Sequence, residues 1–287
     1  MQKKLKVLAL SGGGAYGSYQ IGVLKALLEK DLAGWDAIAG VSVGAINTLW
    51  LASFNKGEVA AAIESLENLW KTIIKGNKSI YLPWYFKPFN YLASFWKGSL
   101  YNTKPLLKLL QKHSSLDDLS RSDISSYVGA VSLNSGKFDL IDIKSNPLAI
   151  EWVLASASMP MLFNPISINN EMWVDGGVKS VTPLKELVKI IGLENIEHID
   201  VILANPTSLE ENKKERFNSI VSVATSCLGA AVNEIMNTDL DINSFNGTYS
   251  IYKPQQSLQF DAFNFDPKHL LAAIKQGYNE TLETFTK

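Results

Sequence analysis

The sequence is poor in the residues that build disulfides, metal centres and the usual serine-histidine triads. Its 287 residues include one cysteine, Cys227, and three histidines, His113, His198 and His269. A lone cysteine excludes an intramolecular disulfide and forms no C-x-x-C pair, and the scattered histidines lack metal-ligand spacing, so no cofactor or metal is expected. The remaining calcium-like run, Asp239-x-Asp241-x-Asn243, has Ser244 where the loop needs glycine and Ser250 where it needs glutamate. Long apolar runs are missing too: nowhere do about eighteen apolar residues follow one another, which speaks against a transmembrane helix. At the N-terminus the apolar run lasts only from Val7 to Leu10, too short for a signal peptide, so it reads as a strand. The sequons at Asn77, Asn246 and Asn279 then carry little weight, and a cytoplasmic protein, peripheral to membranes at most, is expected. With a net charge of −1 and a pI of about 6.3, no global field attracts nucleic acid. Repeats, low-complexity tracts and linkers are also absent, so residues 1–287 read as a single domain.

What is present suits a folded α/β chain. A hydrophobic share of 46% against 19% charged residues is enough for a sizeable core. Leu5 to Leu10 and Ala37 to Ala39 read as buried strands, joined by a helix over Ser18 to Lys30 with apolar residues at helical spacing. That predicts a βαβ unit in a parallel sheet. A helix is expected from Glu58 to Ile74, another from Lys104 to His113, and a short one over Ile150 to Ala157. Two hairpins follow from Tyr127–Leu133 with Lys137–Ile143, and from Ile166–Ile168 with Glu171–Val174. Pro183 to Ile191 is predicted as a helix capped by Thr182. His198 to Ala204 and Thr248 to Tyr252 read as strands. Long helices are expected over Lys213 to Thr238 and from Pro267, capped by Asp266, to Phe285. The stretch from Ser79 to Tyr101 is dense in aromatics, with Lys87 and Lys97 among them. It reads either as a satellite core or as a lid and lipid-facing surface.

Two glycine-rich turns carry the chemistry. Gly40-Val41-Ser42-Val43-Gly44 is a G-x-S-x-G pattern between a strand and a helix, the setting of a nucleophile elbow. Gly12-Gly13-Gly14-Ala15-Tyr16-Gly17 also fits G-x-G-x-x-G between a strand and a helix. Its acidic partner, Asp36, falls before the second strand instead of at its end, which weakens a dinucleotide site. Backbone N–H groups at a helix start bind any anion, so Gly12, Gly13 and Gly14 fit an oxyanion hole beside Ser42. A serine hydroxyl needs a base. An ordinary triad would run from Ser42 through Asp175 to His198 or His269, yet His198 opens a buried strand and His269 sits in a helix. Asp175 ends a strand ahead of Gly176-Gly177, which turns its carboxylate to the sheet's rim.

Taken together, Gly12-Gly13-Gly14, Gly40-x-Ser42-x-Gly44 and Asp175-Gly176-Gly177 make the chain resemble the patatin-like phospholipase family. Ala155-Ser156-x-x-x-Pro160-x-x-Phe163-x-Pro165, Pro183 and Phe265-Asp266-Pro267 with Gly277-Tyr278 extend the likeness over nearly the whole chain. The resemblance implies a three-layer α/β/α fold with a mostly parallel central sheet. It implies a lipid acyl hydrolase with a Ser-Asp dyad: Ser42 as nucleophile, Asp175 as base, and the amides of Gly12, Gly13 and Gly14 as oxyanion donors. Phospholipid or another lipid ester at a membrane or aggregate surface would be the substrate. The family commonly has Arg or Lys where this chain has Tyr16. Two other readings are a carboxylesterase using a Ser-His-Asp triad and a non-catalytic nucleotide- or protein-binding module on the same fold.

Overall fold

The structure, a computed structural model, describes residues 3–84, 98–205, 230, 231, 234, 235, 238, 239 and 248–286. The chain opens with β1 (Leu5–Leu10), α1 (Gly17–Glu29), β2 (Ala37–Val41) and α2 (Val43–Ala52). β1 and β2 pair in parallel, Leu10 opposite Gly40, so both glycine turns leave the same edge of the sheet. α3 (Val59–Asn68) follows and ends in a π-helical turn, Leu69–Ile73, where the sequence pattern predicts one continuous helix. Leu82–Pro83 (β3) and Tyr101–Asn102 (β4) form a short antiparallel ladder flanking the aromatic stretch. The expected lid residues from Tyr85 to Lys97, and the bulk of the expected helix from Lys213 to Thr238 with Cys227, lie outside the described residues.

Next come α4 (Lys104–His113), as predicted, and α5 (Leu116–Arg121), which was not expected. Ser115 caps α5 by accepting the Asp118 N–H. β5 (Ser125–Ser132) lies parallel to β2 and antiparallel to β6 (Phe138–Asp142), the first expected hairpin. α6 (Ala149–Ser156) leads to the second hairpin, β7 (Ile166–Ile168) and β8 (Glu171–Asp175), and β8 pairs antiparallel with β5. α7 (Leu184–Ile191) starts one residue later than predicted, and Pro183, not Thr182, is its N-cap. Thr182 does not cap the helix: its Oγ1 is buried with no hydrogen-bond partner among the described residues, and its N–H donates to the Asp239 carboxylate. β9 (Ile196–Ile202), β10 (Thr248–Tyr252) and α8 (Pro267–Thr284), capped by Asp266 as expected, complete the chain.

The sheet runs β10-β9-β1-β2-β5-β8-β7, with β6 also on β5, and its strands from β10 to β5 are parallel. Alternation along the strands builds two cores. Leu8, Leu10 and Ile38 face a large core shared with α1, α2, α3 and α6, whereas Val7, Ala9, Ala37 and Ala39 face a smaller one with Leu184 and Leu187 of α7. These are the three layers that the resemblance implies. α8 lies against α1 at glycine contacts: a Cβ on Gly22 would sit 2.0 Å from the Ile274 carbonyl oxygen, and one on Gly277 would sit 2.3 Å from that of Tyr19. Among the described residues no helix is long and apolar enough to cross a membrane.

Candidate active site

Ser42 occupies a strained turn. Its backbone has φ 56° and ψ −121°, a region that non-glycine residues rarely enter. The turn closes because both flanking positions lack a side chain. A Cβ on Gly40 would lie 2.1 Å from the Gly44 carbonyl oxygen, and one on Gly44 would lie 2.4 Å from that of Leu10. Ser42 then accepts the N–H groups of Ala45 and Ile46 at 3.0 and 3.3 Å, which starts α2. Its own N–H is claimed by a residue from a different layer: the Ser156 hydroxyl accepts it at 2.9 Å and donates to the Gly129 carbonyl at 2.6 Å.

Asp175 reaches the same edge on β8, opposite Ala130 on β5, while Gly129 faces Val41 on β2. The carboxylate is fully buried. Oδ1 accepts the Gly177 N–H at 2.8 Å, and the Asp175 N–H is held by the Ser158 carbonyl at 3.0 Å. Oδ2 is buried and has no full hydrogen bond. The Ser42 hydroxyl faces the carboxylate closely enough to lower its pKa, short of good hydrogen-bond geometry. Burial outweighs that and the Gly177 amide, and pushes the pKa up to about 7. A carboxylate titrating there is far better matched to taking a hydroxyl proton near neutrality than an ordinary aspartate.

The glycine turn after β1 packs on the elbow. A Cβ on Gly12 would come within 3.2 Å of the Ser42 Cβ. The three expected oxyanion donors separate here. The Gly12 N–H already donates to the Val181 carbonyl at 2.9 Å, whereas the Gly13 and Gly14 N–H groups have no protein acceptor among the described residues. Gly13 and Gly14 take φ 152° and 58°, which turns this segment into α1.

The family model for patatin-like phospholipases matches residues 8–188, from within β1 to within α7, well over half of the chain. The chain belongs to this family. It is also 24% identical over 267 residues to a protein of Invertebrate iridescent virus 6 named as a probable lipid hydrolase, covering 85% of this chain and 86% of the other. An uncharacterized protein of Acanthamoeba polyphaga mimivirus is 25% identical over 212 residues, 69% of this chain and 67% of that one. Among solved structures, VipD from Legionella pneumophila aligns with a TM-score of 0.48 and 15% identity, over 99% of this chain and 67% of its own.

Set against the patatin-like pattern, Tyr16 has a visible occupation. Its hydroxyl donates to the Phe260 carbonyl at 2.5 Å and its ring meets Phe260 edge-on at 5.1 Å. Next to it the Ala15 N–H donates to the Ala262 carbonyl at 2.7 Å. A tyrosine here ties the segment before α8 across the glycine turn, a role in which a cation would bring no ring packing. The far end of that segment is held by Tyr81, whose hydroxyl reaches the Phe263 carbonyl at 2.7 Å, and by Asn77, which accepts the Phe265 N–H.

Among the described residues no histidine hydrogen-bonds Ser42 or Asp175, and the buried His269 Nδ1 has no hydrogen-bond partner. His198 bonds Thr248 and Asp200 at 2.8 and 3.1 Å, and its register opposite Lys6 puts it four residues, roughly 13 Å, below the level of Gly40. His269 stacks on Phe260 at 5.0 Å, and His113 lies beside Trp50. Asp36, the acidic partner of a dinucleotide reading, accepts the Lys6 N–H and pairs with Lys56 at 2.6 Å. A cleft of about 290 Å³ lined by Lys3, Leu5, Ala37 and Tyr127 lies at the opposite strand ends from Ser42.

Sequence reasoning missed the polar groups that hold this arrangement. Besides Ser156, a buried relay runs inward from the glycine turn. Gln20 Nε2 donates to the Ser11 carbonyl at 3.0 Å, Asn47 Nδ2 donates to Gln20 Oε1 at 2.8 Å, and Trp70 Nε1 donates to Asn47 Oδ1 at 3.0 Å. Gln20 and Asn47 stand in otherwise apolar helix faces, and that was the signal available.

Proposed function

We propose that the chain is a serine lipid acyl hydrolase, a phospholipase A or related acyl-ester hydrolase, that works through Ser42 and Asp175. The observation that carries this reading is the buried Asp175 carboxyl, which interacts with the Ser42 hydroxyl, keeps Oδ2 without a full hydrogen bond, and has its pKa pushed up to about 7. Membership of the patatin-like family and the likeness to a probable lipid hydrolase support a lipid ester as substrate. Asp175 takes the Ser42 proton as the serine oxygen attacks the ester carbonyl. The Gly13 and Gly14 amides receive the oxyanion, while Gly12 serves by shape, letting the turn reach Ser42. The proton passes to the departing alcohol or lysolipid. Asp175 then activates a water that releases the fatty acid from the acyl-enzyme. The aromatic stretch from Ser79 to Tyr101 would meet the lipid surface, its described ends fixed by Tyr81 and by the Tyr101 N–H on the Leu162 carbonyl.

The test is fatty-acid release from mixed phospholipid vesicles and hydrolysis of a short-chain p-nitrophenyl ester. Ser42→Ala and Asp175→Asn should each lower turnover by about 10³-fold or more, since groups acting as one unit fail together. His198→Ala and His269→Ala should keep it. An enzyme that is active yet indifferent to Asp175→Asn would overturn the dyad, and loss on His269→Ala alone would bring back the triad.

A further inference from the structure

Asp239 is a buried carboxylate that the mechanism above does not use. It is 8% exposed. One oxygen, Oδ2, accepts the Val181 N–H at 2.7 Å and the Thr182 N–H at 2.9 Å, with the Ser180 hydroxyl at 3.4 Å. Among the described residues it has no salt-bridge partner, and the Lys185 ammonium goes to the Thr238 carbonyl instead. Burial pushes its pKa up to about 6, with Glu186 adding to the rise and the two amides and Lys185 opposing it. The segment it grips runs straight on from the Asp175 turn: the Ser180 N–H donates to the Gly176 carbonyl at 3.0 Å. On its other face Val181 offers its carbonyl to the Gly12 N–H at 2.9 Å, and Gly12 rests on Ser42.

We propose that Asp239 is a positioning residue for the oxyanion turn, acting through Val181. By accepting two successive amides it fixes the peptide whose carbonyl anchors Gly12, and so sets where the Gly13 and Gly14 donors stand relative to Ser42. The proposal rests on the Ser42–Asp175 reading. Charge-assisted bonds to backbone amides are stiff, and displacing oxyanion donors by a fraction of an ångström weakens the transition state while leaving ground-state binding untouched.

The experiment compares Asp239→Ala and Asp239→Asn with wild type for kcat, KM and inhibition by a trifluoromethyl ketone, which binds the serine as an oxyanion. Asp239→Ala should lose about 10- to 100-fold in kcat with KM nearly unchanged, and inhibition should weaken in parallel. Asparagine keeps an acceptor oxygen for both amides and should recover most of the rate. If Asp239→Ala does not fold, Asp239→Ser, too short to reach the amides, replaces it. An alanine or serine variant within about two-fold of wild-type kcat overturns the proposal, and so does an asparagine variant as slow as alanine. Ser42→Ala, assayed alongside, separates the layers: if it still turns over, the dyad reading falls and this proposal with it. An inactive Ser42→Ala beside an unimpaired Asp239→Ala sinks the proposal alone.

Discussion

At the scale of single residues, burial of Asp175 sets reactivity against stability. Its folded pKa is raised to about 7 from 3.8, so between those values the folded chain holds a proton that the unfolded chain has released. Stability therefore falls as pH rises through that window, and above it the folded state carries a cost of about 4 kcal/mol for the ionised group. Asp175→Asn, which can keep the Gly177 bond through its amide oxygen, should raise the melting temperature by several degrees near pH 8 and by much less near pH 4. Calorimetry at the two pH values checks it. Activity of the wild type should climb with pH to a plateau just above 7, and a limb centred near 4 would show that the carboxylate titrates as if exposed. The proposed pair, Ser42 and Asp175, could be picked out of the sequence because backbone motifs mark the elbow and the turn that hold them. Ser156 stood out only as part of a motif and Asp239 only in a rejected calcium-like run. The contacts of both, like those of Asn47 and Gln20, were not legible, because a buried polar side chain is explained only by a partner distant in sequence, such as Gly129 or Val181.

At the scale of elements, the elbow depends on two missing methyl groups. Gly44→Ala would press a Cβ within 2.4 Å of the Leu10 carbonyl oxygen, where backbone and not a flexible side chain must yield. The expected outcome is a loss of several kcal/mol in denaturant unfolding together with loss of turnover, because β1, the elbow and α2 cannot all hold their places. A folded, active Gly44→Ala enzyme would mean that the elbow relaxes without cost. Most elements could be read from periodicity and turn chemistry, including both hairpins and α8 with its Asp266 cap. The exceptions have specific causes. The π turn at Leu69–Ile73 carries Trp70, whose ring N–H reaches Asn47 on α2, a partner distant in sequence that periodicity does not reveal. Thr182 sits one residue too early to cap: its carbonyl accepts the Leu184 N–H, and its Oγ1 is buried and unpaired among the described residues. That the Gly12 N–H is already spent on the Val181 carbonyl, leaving Gly13 and Gly14 as the proposed donors, depends on a contact distant in sequence.

At the scale of the molecule, the family match ends at residue 188, but the structure does not divide there. β9 pairs with β1 along its whole length, and α8 covers α1. We propose that residues 1–287 fold as one cooperative unit. A fragment ending at residue 192 should show no sigmoidal thermal transition, and a fragment that melts sharply would show that the matched region stands alone. The glycine crossing of α1 and α8 has a consequence in time. α1 begins at the glycine turn, and its outer face is completed by α8, which follows every strand of the sheet in the chain. Such long-range contacts form late in folding. Ser42 and Asp175 therefore leave the ribosome before α8 does, and until α8 emerges the glycine turn starts a helix whose outer face is bare.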